Sequence, residues 1–245
     1  MVFEDVNPNR VYLLGYSAGG DGVFQMAPRM ADSLAAAAMM AGHPNGVSAM
    51  NLRNIGFTIH MGENDRAHKR NLNAEKWKVK LADLAKADPG GYEHEVVIQK
   101  GMGHWMKRKD AVALPWMAKF NRNPLPQKVS WRQSSVVSSD FYWLGVEPGK
   151  EKRAATIVAT REKNKFNIES VEKVDTVHIR LNAQMVDFDK PIEVSYGGET
   201  KTFENVRQTP EMIYQSIEKR GDPGLIFSAQ VKMPIPQEME KEAEK

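Results

Sequence analysis

The chain has 245 residues, 41% of them hydrophobic and 27% charged, which excludes a disordered or fibrous protein and allows one large globular domain or two small ones. Thirty-four Lys and Arg against 31 Asp and Glu leave a net charge of +3, too small and too dispersed for the clustered basic face of a nucleic-acid binder. The absence of cysteine excludes a disulfide framework, a thiol nucleophile and a cysteine-ligated metal. No apolar run is long enough to cross a bilayer, and Glu4, Asp5 and Asn7 break up any export signal after Met1, though neither point sets the compartment.

Residues 1–122 alternate short apolar runs with helical patterns. Residues 11–15 spell a buried strand, bounded by Asn-Pro-Asn before and glycines after. Residues 19–26 follow as a helix that Pro28 is expected to stop. Residues 34–40 suit a helix by their alanines. They suit a short buried strand equally by their length and by the Gly42 and Pro44 that follow. A strand is expected over 55–61. A helix is expected over 69–87, with Trp77, Leu81 and Leu84 at helical spacing and a stop at Asp88-Pro89-Gly90-Gly91. A strand over 95–99 and a helix over 110–120 complete the pattern. Strands alternating with helices predict an α/β unit with a parallel sheet.

Residues 121–127 contain two prolines and read as a linker, after which strands dominate. Residues 141–144 and 155–160 are rich in aromatic or β-branched side chains. Val177, Ile179 and Leu181 alternate with Thr176, His178 and Arg180, the period of a half-buried strand. Gly197-Gly198 reads as a tight hairpin turn between 192–196 and 200–206. Thr209-Pro210 opens a short helix that Gly221 closes, and 225–231 is a last strand. The expectation is an α/β unit over 1–122 and a small antiparallel, sandwich-like β module over 123–236. A charged tail over 237–245 reads as a solvated helix or disordered. Trp131, Tyr142 and Trp143 could form a stacking surface for a carbohydrate or protein, although aromatics in strands are more often core.

The chemistry concentrates at Gly15-Tyr16-Ser17-Ala18-Gly19. This is G-x-S-x-G, directly after a strand and at the start of a helix, where a strained turn lifts a serine hydroxyl clear of the sheet. The Ala18 amide, first in that helix, points at the same space and can meet a developing oxyanion. A serine needs a base, and the base an orienting acid. Asp65 follows the strand ending near Met61, and His104 follows the strand ending near Lys100. Both would lie on the same rim as Ser17. Glu63 is the alternative acid; Asp83 and Asp88 read as solvated. His43 precedes the acid in the chain and reads as a pocket-wall residue, with Tyr16 and Trp105. His60 reads as a core or interface histidine, and His68, His94 and His178 as surface residues. No H-E-x-x-H metal motif occurs; His94-Glu95 lacks the second histidine. The glycines of 19–22 do not fit G-x-G-x-x-G, and Gly149-Lys150 lacks the upstream glycine of a P-loop.

At these motifs the chain resembles a known family. Residues 8–122 are similar to the C-terminal half of an α/β-hydrolase domain of the esterase, dienelactone-hydrolase and prolyl-oligopeptidase-like group. The pieces that carry the resemblance are Asn7-Pro8-Asn9-Arg10-Val11-Tyr12-Leu13-Leu14 running into Gly15-Tyr16-Ser17-Ala18-Gly19-Gly20, then Gly62-Glu63-Asn64-Asp65, then Gly103-His104-Trp105. The resemblance implies Ser17 as nucleophile, Asp65 as acid, His104 as base and the Ala18 N–H as oxyanion donor. It also implies a strand over 34–40, a small ester substrate, an acyl-enzyme and no cofactor. In this fold several strands precede the nucleophile strand. Only ten residues precede Val11, so the expectation is a partial hydrolase sheet whose first strand offers an unpaired apolar edge. A missing segment, a second copy of the chain or another subunit would cover it. A different class of function follows from the same point: a catalytically incomplete, hydrolase-like subunit with a structural or assembly role. Residues 128–235 resemble a β module appended to some bacterial and protist members, which implies no activity.

Overall fold

The apolar run after Asn-Pro-Asn forms strand β1 (Tyr12–Tyr16), and the next residues coil at once into helix α1 (Ala18–Arg29). The computed structural model describes residues 6–236; the charged tail over 237–245 lies outside them. Pro28 does not stop α1 but sits inside its last turn, buried. There its missing N–H removes a single bond, and the helix closes one residue later with the Met30 N–H on the Met26 carbonyl at 2.9 Å. The alanine-rich segment resolves as strand β2 (Ala36–Met40), with every residue buried. Helix propensity loses here to burial on both faces, which small side chains permit. Strand β3 (Gly56–Gly62), helix α2 (Arg70–Ala87) and strand β4 (His94–Gln99) follow. The helix expected over 110–120 is shorter. A 3-10 turn over Lys109–Val112 leads into α3 (Ala113–Met117), whose end tightens into 3-10-type bonds.

The four strands form one parallel sheet in the order β1-β2-β3-β4. Alternation sends Phe57 to one face, where it meets Phe24 of α1 at 5.9 Å and Trp77 of α2 at 6.0 Å between ring centroids. Ala36, Ala38 and Met40 point to the other face and pack with Ala113 and Met117 of α3. All three strand ends that carry candidate chemistry therefore open on one rim of the sheet. This first compact unit extends to Pro126 and includes the later segment Gly221–Gly224. Arg122 holds that segment: its fully buried guanidinium makes a two-toothed pair with Asp222 and also donates to the Asp32 carbonyl at 2.8 Å.

The second unit contains Gln127–Arg220 and the chain from Leu225 onward. Its strands are β5 (Lys128–Arg132), β6 (Asp140–Phe141), β7 (Leu144–Gly145), β8 (Thr156–Glu162), β9 (Lys165–Glu172), β10 (Thr176–Leu181), β11 (Ile192–Tyr196) and β12 (Glu199–Phe203). Helix α4 (Pro210–Arg220) and strand β13 (Ala229–Pro234) follow, β13 beginning four residues later than expected. Two sheets form, in the orders β13-β10-β7-β6 and β12-β11-β9-β8-β5. Trp131 of β5 stacks on Phe141 of β6 at 5.8 Å, and Trp143 meets Phe166 of β9 edge-on at 5.6 Å, so aromatic rings join the two sheets as a sandwich.

Four expectations change here. Residues 141–144 are not one strand but the tip of a β6–β7 hairpin, with Tyr142 at φ +52 and Trp143 as the turn. Trp131, Tyr142 and Trp143 are buried core, the role favoured for them over a stacking surface. The module is not wholly antiparallel, because β11 runs parallel to β9. β10 is buried on both faces rather than one. Its polar face is closed by Arg180 on the Asp140 carboxylate, with Lys219 on the other oxygen at 2.9 Å. Burial alone would raise the Asp140 carboxyl, but the two cations outweigh it and hold it below the ordinary range. His178, expected on the surface, is 2% exposed and lies 3.2 Å from Glu147. The Gly197-Gly198 turn forms as expected, with φ +60 and +88, the left-handed pair that a two-residue hairpin loop requires. Among the described residues no helix is long and apolar enough to cross a membrane.

Candidate active site

Ser17 occupies the turn between β1 and α1 with φ 56 and ψ −119, a conformation that non-glycine residues rarely adopt. Close backbone packing keeps it there. A Cβ on Gly15 would lie 2.2 Å from the Gly19 carbonyl oxygen, and one on Gly20 would lie 2.5 Å from that of Met40. Gly19, the second glycine of the motif, has nothing within 4 Å of where its Cβ would be. The crossing of α1 over the sheet therefore depends on Gly20 and on Gly42, whose Cβ would meet Gly20 at 2.4 Å. The Ser17 N–H is held by the Met40 carbonyl at 2.9 Å. Ala18 begins α1, where the first N–H groups have no carbonyl partner within the helix.

The acid loop leaves β3 and the histidine loop leaves β4, and they cross at backbone contact. A Cβ on Gly62 would lie 2.0 Å from the Gly103 carbonyl oxygen. The Asn64 N–H donates to the Met102 carbonyl at 2.8 Å, and the Gly101 N–H donates to the Glu63 carboxylate at 2.7 Å. Glu63, the alternative acid, thus faces the backbone of the histidine loop, not its imidazole. Gly62→Ala is expected to force these loops apart, costing about 2–3 kcal/mol of stability by overpacking against backbone that cannot move aside. Urea unfolding measures it.

With the loops crossed, Ser17, His104 and Asp65 meet. The His104 Nε2 lies 2.9 Å from the Ser17 Oγ, and its Nδ1 lies 2.6 Å from the Asp65 Oδ2. Asp65 is 2% exposed and the His104 side chain 42%, so the carboxylate is dry and the imidazole faces solvent. Arg70 places a guanidinium nitrogen 3.9 Å from the other Asp65 oxygen. Nothing in the sequence marks Arg70, which reaches Asp65 only because the left-handed residues His68 and Lys69 turn the chain into α2.

The remaining predicted residues are placed as follows. The Tyr16 phenol donates to the His104 carbonyl, and its ring meets those of His104 and Trp105 edge-on at 5.6 and 6.0 Å. Burial raises the Tyr16 pKa, and the carboxylates Asp110 and Asp65 push the same way against the Met106 backbone, which pulls it down; the net shift is upward, so the phenol stays protonated. Trp105 is 59% exposed. His43 follows β2, its N–H on the Asp21 carboxylate at 2.6 Å and its Nδ1 2.7 Å from the Asn45 side-chain oxygen. His60 is wholly buried in β3, its Nε2 3.0 Å from the Thr58 hydroxyl, and burial lowers its pKa against the opposing pull of Asp110. Asp88, expected to be solvated, takes Arg53 in a two-toothed pair at 2.8 and 2.9 Å, closing the end of α2. Among the described residues, no group of three or more His, Asp or Glu side chains is placed to hold a metal ion.

Ser17, Asp65 and His104 thus lie just past the ends of β1, β3 and β4 of one parallel sheet. No protein-family model matches the chain, and no curated protein does. Solved structures do match in part. A thermostable esterase is 20% identical over 49% of this chain and 33% of its own, with a TM-score of 0.40. A carboxylesterase of Bacillus cereus is 21% identical over 46% of this chain and 51% of its own, with a TM-score of 0.36. The S-formylglutathione hydrolase FrmB of Staphylococcus aureus is 14% identical over 47% of this chain and 55% of its own, with a TM-score of 0.31. The chain spans from a third to just over half of the length of these structures.

Proposed function

We propose that the chain is a serine hydrolase acting on small carboxylic esters through an acyl-enzyme. The hydrogen-bonded series from Ser17 Oγ through His104 to Asp65 carries the reading. His104 Nε2 takes the hydroxyl proton as Ser17 Oγ attacks the ester carbonyl carbon. The carbonyl π pair moves onto oxygen, where the Ala18 N–H is one donor. The pair then returns, the alkoxide leaves with the proton from His104, and Ser17 is left acylated. Water repeats the sequence and releases the acid. Asp65 keeps the Nδ1–H tautomer and stabilises the imidazolium. Protons and electron pairs balance among these groups and water, so the reaction needs no cofactor. Tyr16, His43 and Trp105 are the proposed walls of the substrate pocket. Stopped-flow hydrolysis of p-nitrophenyl acetate by the full chain tests the reading. A burst of nitrophenol equal to the protein concentration, followed by slower turnover, is expected; no nitrophenol above the buffer rate overturns it.

A second reading is a hydrolase-like subunit with an assembly role. It is favoured by β1, which is an edge of its sheet among the described residues and leaves Leu14 49% exposed. A homo-oligomer or a partner subunit would then cover that edge. Native mass spectrometry separates the readings: a stable monomer that turns over ester rules out the second.

A further inference from the structure

The histidine loop is anchored unevenly. Its first residues are tied to the acid loop by the Gly101 N–H on Glu63 and the Met102 carbonyl under Asn64. At residue 104 the packing thins: the imidazole is 42% exposed, and Trp105 beyond it is 59% exposed. Gly101, at φ +69, and Gly103 on either side of Met102 give the backbone freedom to turn. The backbone of His104 itself is held from another direction. Tyr16 donates its hydroxyl to the His104 carbonyl and sets its ring edge-on against the imidazole. Tyr16 is the last residue of β1, in register with Met40, and its chain neighbour Ser17 donates to the same Met40.

We infer that Tyr16 is a positioning residue: by fixing the carbonyl of His104 to the strand that presents Ser17, it sets the distance between nucleophile and base. This rests on the reading of Ser17 and His104 as that pair. The phenol has one proton and gives it to the carbonyl, so the hydroxyl acts through His104, while the ring is what would line the substrate pocket. An offset of about 1 Å between reacting groups costs on the order of a hundredfold in rate, which is the scale of effect a missing anchor can have.

Tyr16→Phe keeps the ring and removes the anchor. Its melting temperature is expected to stay close to that of the parent chain. Phosphonylation of Ser17 by a fluorophosphonate should slow roughly ten- to a hundredfold in its maximal rate, with the half-saturating probe concentration unchanged. A merely structural role would move neither value, or both. A second readout needs no turnover. The proton shared by His104 Nδ1 and Asp65 should give a far-downfield NMR signal, assigned by its loss in His104→Gln. In Tyr16→Phe that signal should broaden away through exchange with water. Labelling at the parent rate with an unchanged signal overturns the inference. If the parent chain itself does not label, the hydrolase reading fails while the NMR signal still decides the role of Tyr16: lost in Tyr16→Phe, it supports the anchor; retained, it overturns it.

Discussion

Ser17→Ala is expected to reduce ester turnover by at least about a thousandfold, to the level left by substrate binding and the oxyanion donor alone. The substitution deletes one oxygen and keeps the Cβ, so the turn at φ 56 is no more strained than before. Gly15 and Gly20 still allow the close backbone approaches that hold it. His104 retains its bond to Asp65 and loses only the partner on Nε2. Stability should therefore be nearly unchanged while chemistry is lost. Steady-state p-nitrophenyl ester kinetics beside a thermal melt measure both. A variant with more than a tenth of the parent rate would mean that another group carries the reaction.

Asp65→Asn is expected to lower kcat by about a thousand- to ten-thousandfold, with little change in KM. The carboxylate accepts the Nδ1–H of His104 at 2.6 Å in a site that is 2% exposed. An amide turned to donate its N–H there forces the proton onto Nε2, where the imidazole can no longer accept from Ser17. Glu63→Gln is the matched control. Glu63 lies two residues away in the same loop, but its carboxylate accepts from the Gly101 backbone, a bond that the Gln carbonyl preserves. A loss within about threefold is expected, since no group in the proton path changes. Equal losses in the two variants would remove the distinction between orienting acid and loop tie.

That distinction marks how far the sequence can be read. The turn at Ser17 was legible because strand, strained turn and helix each demand particular residues in a fixed order. Asp65 and His104 were legible because both follow strands of a parallel sheet. The place after the strand favoured Asp65 but left Glu63 of the same loop as an alternative; the two are separated physically only when the Gly62–Gly103 crossing turns one carboxylate to the imidazole and the other to Gly101. Likewise, the G-x-S-x-G pattern suggests that both of its glycines are packed tightly. The close approaches instead involve Gly15 and Gly20, the latter against Gly42, a residue more than twenty positions away.

The second unit was less legible. Strand β9 went unread because its alternation is weak at its end, where Glu169 to Glu172 offers no buried residue. His178 and Arg180 were read as the wet side of a strand. The ion pair of Arg180 with Asp140, made by residues 40 positions apart, is what allows that side to be dry. The tip of the β6–β7 hairpin was hidden because two large aromatics stand where turn residues are expected, held by core packing and not by turn propensity.

The central claim is that Ser17 is a nucleophile activated by His104. Intact-mass and peptide mapping of the full chain after exposure to a fluorophosphonate tests it most directly. The account predicts one adduct per chain, on the peptide containing Ser17, absent in Ser17→Ala and strongly reduced in His104→Ala. No adduct on the folded chain, or an adduct at another serine that persists in Ser17→Ala, would contradict it.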